Sequence, residues 1–240
     1  MLWAQLKGKL AIDGEGLEDL LTSNVFGALK YVPADAGLLP FLSRSVGESA
    51  DDFHRLLKDV RDVDFDFWPR MEDGCEPDVL LSLTTTSGRR ALVLVEAKYR
   101  SGKSSFRDLS AKPGSPPQDQ LAREWVNCRR RAEQEGAEAF LLFVTADYAF
   151  PAQELRDSQQ DLEQCGLPAG RLLWLSWRHL ARGLDLQSEL LRDLQELLDT
   201  RYGFREFCGV GLTACRLPWT WMRASTHWPA PVLRWRFVDE

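Results

Sequence analysis

The sequence predicts an α/β domain. A mixed central sheet is flanked by helices in the order helix, three antiparallel strands, helix, strand, with a helical and aromatic C-terminal extension. Three observations carry this expectation. Residues 77–98 hold two apolar, strand-like runs around a polar turn with one glycine, Gly88. Residues 15–30 and 119–136 repeat apolar side chains at helical spacing on either side of the strands. Residues 139–145, Ala-Phe-Leu-Leu-Phe-Val-Thr, form a short apolar run of the length of a buried strand. The chain has 240 residues, 44% of them hydrophobic, enough for one domain over 1–200 with an extension over 201–240 packed on it.

In chain order, Leu17, Leu20, Leu21, Val25 and Leu29 give the first helix its stripe, and Pro33 ends it. Glu15, Glu18 and Asp19 stand in its first turns, where the helix dipole favours anions. Residues 31–46, with Pro33, Gly37 and Pro40, read as a loop. A second helix over 51–60 aligns Phe53, Leu56, Leu57 and Val60. Residues 62–69 alternate Val63, Phe65 and Phe67 against Asp62, Asp64 and Asp66, the period of a half-buried strand. Those aspartates lack the glycine and closing glutamate of a calcium loop. After the hairpin, residues 99–118 are rich in Ser, Gly, Pro and Lys and read as a mobile loop. Its Gly102-Lys103-Ser104 is not a phosphate-binding P-loop, because Ala97 stands where the first glycine is required. The helix over 119–136 aligns Leu121, Trp125, Cys128 and Ala132, between Pro117 and Gly136. A helix over 151–165, a strand over 171–177 and a helix over 184–198 follow. Trp219, Trp221, Trp228 and Trp235 mark the tail. They are open to three roles: core packing, contact with a second copy or a protein partner, or stacking on single-stranded bases.

No run approaches the length of a membrane span, and the N-terminus lacks a basic-then-apolar leader, so a cytoplasmic protein is expected. Five widely spaced cysteines and three scattered histidines make neither a disulfide framework nor a zinc site. The net charge of −6 is unevenly spread. Residues 1–88 carry −8, residues 89–131 carry +7 and residues 132–240 carry −5. A basic block of that kind suits a polyanionic partner.

Pairing centred on Ser87 sets Asp78 opposite Glu96, and Lys98, two residues on, shares the face of Glu96. Two carboxylates and an amine thus meet where apolar strands end. Charge is costly there unless it is paired or bound to a cation. Mg²⁺ takes one or two carboxylates together with water and phosphate oxygens. Pro77-Asp78, seventeen intervening residues and Glu96-Ala97-Lys98 resemble the PD-(D/E)xK phosphodiesterase superfamily, the restriction-endonuclease-like nucleases. The resemblance covers about residues 60–145.

It implies a restriction-endonuclease-like core and a metal-dependent nuclease, with DNA expected ahead of RNA. It implies Asp78, Glu96 and the Ala97 carbonyl as ligands of Mg²⁺, with Mn²⁺ as a substitute, and Lys98 as the group that handles water and charge. A glutamate of the first helix often joins the metal in that superfamily; Glu18 matches, and dipole compensation is its other reading. Gln120 matches a glutamine often found on the next helix, although Glu124 stands where a tyrosine would follow. Arg100, Lys103, Arg107, Lys112, Arg129 and Arg130 are expected to meet backbone phosphates, with Arg131 beside them. The competing expectations are a non-catalytic nucleic-acid-binding or assembly module on the same fold, and a scaffold closed by a buried Asp78–Lys98 ion pair.

Overall fold

The computed structural model describes residues 16–180 and 183–204. Glu15 and the four tail tryptophans lie outside the described residues, as does the extension from residue 205 onward. Helix α1, Leu17–Lys30, buries Leu21, Val25, Phe26 and Leu29. The stretch read as a loop contains a 3-10 turn, Ala34–Ala36, and the short helix α2, Leu38–Leu42. Pro40 falls in the first turn of α2, where a missing N–H costs nothing, so it does not break the helix. Helix α3, Ala50–Leu57, stops short of Val60, which instead opens strand β1, Val60–Phe67.

Strands β2, Val79–Thr85, and β3, Arg90–Ala97, form the hairpin in the expected register, with Val79 opposite Val95 and Leu80 opposite Leu94. Gly88 adopts φ 82° in the turn, a conformation open to glycine and costly for most other residues. Helix α4, Gln120–Glu135, starts at Asp119, whose carboxylate accepts the amides of Leu121 and Ala122, and stops at Gly136, φ 63°. Strand β4, Glu138–Thr145, helix α5, Ala152–Gln164, strand β5, Leu172–Ser176, and helix α6, Glu189–Arg201, complete the order.

The sheet is mixed and five-stranded, β1-β2-β3-β4-β5. β1, β2 and β3 are antiparallel; β4 pairs parallel to β3, and β5 parallel to β4. The α/β class and flanking helices match the expectation. The stated element order does not: two short helices precede β1, and a fifth strand extends the sheet. β3 lies in the middle and is buried on both faces. Val93 and Val95 pack with α1, α2, α3 and α6, while Leu92 and Leu94 pack with α4 and α5. β1 is an edge strand whose exposed Asp62, Asp64 and Asp66 discourage pairing with another chain. The start of β2 and the ends of β3, β4 and β5 share one edge of the sheet, where open α/β sheets place their ligands.

Candidate active site

The hairpin delivers Asp78 and Glu96 to that edge on the face of Leu80, Leu92 and Leu94. Asp78 Oδ2 accepts the Ala97 amide at 2.8 Å. N–H and C=O of one extended residue point to the same neighbouring strand, so the Ala97 carbonyl is directed to the β2 side of β3, as its amide is. Lys98 Nζ lies 2.6 Å from Glu96 Oε1 and 3.1 Å from Glu18 Oε1. Glu18 reaches the edge from the first turn of α1, and its Oε2 accepts the Tyr99 amide at 2.8 Å and the Ser101 hydroxyl. Glu18 therefore joins the site as the partner of Lys98 and of the backbone after it. Both of its oxygens are engaged by these donors.

Gln120 opens α4 with its amide over the same cluster. Its Oε1 accepts the Ser104 N–H at 2.7 Å, which turns Nε2 toward Glu96 Oε1 and, at 3.0 Å, Glu124 Oε1. Glu124 was not foreseen as a member. It lies four residues after Gln120 and so on the same helix face, the signal that could have found it. It is 3% exposed, and its Oε2 has no hydrogen-bond partner.

Four carboxylates thus surround one ammonium. Burial, then the nearby Glu96 charge, pushes Asp78 up to about 7. Burial raises Glu96 despite Lys98 and Gln120, and burial with Glu96 raises Glu124 well above the carboxylate range. Burial alone would lower Lys98, but Glu96 and Glu18 outweigh it and hold the amine firmly protonated. This excess of negative charge is one a divalent cation would relieve. Among the described residues, no three Asp, Glu, His or Cys side chains are arranged to hold one ion together. The donor set fits Mg²⁺ only as Asp78, Glu96 and the Ala97 carbonyl, the remaining positions going to water and substrate oxygens.

The site is enclosed, with Asp78, Glu96 and Lys98 between 3% and 9% exposed. A cavity of about 120 Å³ lies against α4, lined in part by Arg129 and Arg130, and a groove of about 930 Å³ runs along α2 and α3; neither is lined by Asp78, Glu96 or Lys98. The segment 99–118 crosses beside the site and is tied down from below. Lys103 Nζ donates to Asp119 Oδ2, to the Glu154 carbonyl at 3.1 Å and to Ser158 Oγ at 3.2 Å, while Asp161 Oδ2 accepts the amides of Gln118 and Asp119, both at 2.8 Å.

The expected phosphate-binding residues separate accordingly. Arg100 is exposed beside the site; Lys112 is exposed but lies by the C-terminal end of α5, where the Gly114 amide donates to the Cys165 carbonyl at 2.9 Å; Arg107 is half-buried against Asp157 and Gln160. Lys103 is withdrawn from that set, because its side chain is 1% exposed and already paired. Arg129, Arg130 and Arg131 do not border the site. They lie toward the C-terminal end of α4, about 13 Å or more along the helix from Gln120. There they pair with Glu133, Glu72 and Glu135. Arg90, at the start of β3, also reaches Glu135, which marks this as the opposite edge of the sheet. Comparison with protein-family models, curated proteins and solved structures finds no match to the chain.

Proposed function

We propose that the chain is a metal-dependent phosphodiesterase that cleaves nucleic acid, DNA ahead of RNA, as its resemblance to the PD-(D/E)xK superfamily implies. One observation carries the reading: Asp78, Glu96 and Lys98 meet at the end of a doubly buried strand, with the Gln120 amide braced against Glu96. The bound cation would supply Lewis-acid activation and charge neutralisation at the scissile phosphate. Asp78, Glu96 and the Ala97 carbonyl would hold it. Lys98, kept protonated by Glu96 and Glu18, faces the negative charge that builds on the phosphoryl oxygens. Glu18 and Gln120 act through others, fixing Lys98 and Glu96 respectively.

A second reading has its own support. The Glu96–Lys98–Glu18 ion cluster is a self-sufficient way to close a strand end, and a scaffold or a non-catalytic binding module would need nothing more. The deciding experiment incubates purified protein with labelled DNAs and RNAs in Mg²⁺, Mn²⁺ or EDTA, alongside thermal melts. Cleavage in metal, lost in EDTA and in Lys98→Ala, is expected. A protein that cuts nothing and melts at one temperature with and without divalent ions refutes the nuclease reading in favour of the scaffold.

A further inference from the structure

The edge that bears Asp78, Glu96 and Lys98 also presents an aromatic ring in an unusual setting. Tyr148, three residues past the end of β4, is 82% exposed. Its loop is pinned: Thr145 Oγ1 donates to Asp147 Oδ2 at 2.8 Å, and Ser176 Oγ donates to the Asp147 carbonyl at 2.7 Å. The guanidinium of Arg178, just past β5, lies 3.8 Å from the centre of the Tyr148 ring. Arg178 is itself locked, its Nε donating to the Ala146 carbonyl at 2.9 Å and its Nη1 to the Gly203 carbonyl at 3.3 Å, with the Phe204 ring 5.2 Å away. A fixed cation therefore backs one face of the tyrosine. Much of the rest is exposed, where burial would be the ordinary fate of so large a ring.

The position is near the chemistry. Val144 pairs with Ala97, and four residues of chain span at most about 14 Å, so Tyr148 stands within a few nucleotides of Lys98. A second exposed ring, Phe106 at 68%, rises from the segment beside the site, and exposed Arg100 follows Lys98. Exposed rings among arginines are how single-stranded nucleic acid is gripped: every base has a π-face to stack, and the cations meet the backbone. In duplex nucleic acid those faces are already occupied by neighbouring bases.

We infer that Tyr148, braced by Arg178, is a stacking platform for an unpaired nucleobase, so the substrate presents a single-stranded stretch to the site. This rests on the nucleic-acid reading above. The test is fluorescence anisotropy of the full chain in EDTA, where metal-dependent cleavage is blocked. The probes are a short labelled single-stranded DNA, the same strand with abasic sites, and its duplex. The single strand should bind more tightly than the duplex and than the abasic strand, which keeps the phosphates and loses the faces. Tyr148→Ala should weaken single-strand binding by about five- to a hundredfold, the span measured for base–aromatic stacking, while Tyr148→Phe stays near wild type. If duplex binds as well as single strand and Tyr148→Ala matches wild type on both, the platform is overturned and the nuclease reading stands. If no nucleic acid binds, both fall.

Discussion

Replacing Asp78 by asparagine should stabilise the metal-free protein, and the gain should grow with pH. Asparagine is isosteric and its Oδ1 can still accept the Ala97 amide, so the charge is the main loss. The folded protein holds Asp78 at about 7 against an ordinary value of 3.8. A carboxyl raised in this way binds more protons folded than unfolded between those limits. Its contribution to stability is therefore lost progressively as pH rises from about 4 to about 7, and stays lost above. Three units correspond to a ceiling of about 4 kcal/mol, of which about 3 kcal/mol is traversed between pH 5 and pH 8. Glu96 and Glu124 compete for the same protons, which brings the expected gain nearer 1–2 kcal/mol, or roughly 3–6 °C in melting temperature. Melts of wild type and Asp78→Asn in EDTA across that range give the difference directly. A variant no more stable than wild type at pH 8, or a gain that does not change with pH, refutes the idea that Asp78 carries repulsion. Mg²⁺ should raise the wild-type melting temperature at pH 8 and leave the variant nearly unmoved.

Three further outcomes follow from the same geometry. Lys98→Ala should abolish cleavage and also lower stability in EDTA by about 3–5 kcal/mol, because Glu96 and Glu18 lose their shared cation; urea titration with and without Mg²⁺ should show the metal recovering part of the loss. Lys103→Met should cost a similar amount by leaving Asp119 buried and unpaired, so it will impair nucleic-acid binding only through folding, seen as a normal salt slope in whatever remains folded. Charge reversal at Arg100 should flatten the slope of log K against log salt by about 0.7–0.9 per lost phosphate contact, whereas reversal at Arg129 and Arg130, on the opposite edge, should leave it unchanged.

Much of the site was legible because its centre is local. A hairpin register follows from its turn, and the turn follows from a polar run with one glycine, so Asp78 and Glu96 could be set opposite each other from spacing alone. Gln120 was legible through the motif that follows Glu96-Ala97-Lys98. Lys103 was not. It sits among Ser, Gly and Pro, where a lysine reads as solvated, and the groups that bury it arrive from α4 and α5, 16 to 55 residues away. Glu18 was placed near the metal by resemblance, but the sequence held no sign that Lys98 and two further donors would occupy it. A helix begun at Gln120 carries Arg129, Arg130 and Arg131 about 13 Å or more away, whatever the fold. The short helix α2 is masked in the sequence by Pro40, which breaks a helix interior but not its first turn.

The contacts that build the site are closed over very different lengths of chain. Asp78 and Ala97 are 19 residues apart and Gln120 and Glu96 are 24, but Glu18 and Lys98 are 80. The last contact hangs on the first turn of α1, a helix end without a side-chain cap, and helix ends fray before sheets open. Unwinding that one turn frees the Tyr99 amide and leaves the Lys98 amine on Glu96 alone, while Asp78, Glu96 and Gln120 stay in place. The lysine thus has a route to reorientation that does not disturb the carboxylates. Amide hydrogen exchange should report it, the Tyr99 N–H exchanging well before that of Val93 in the middle of the sheet.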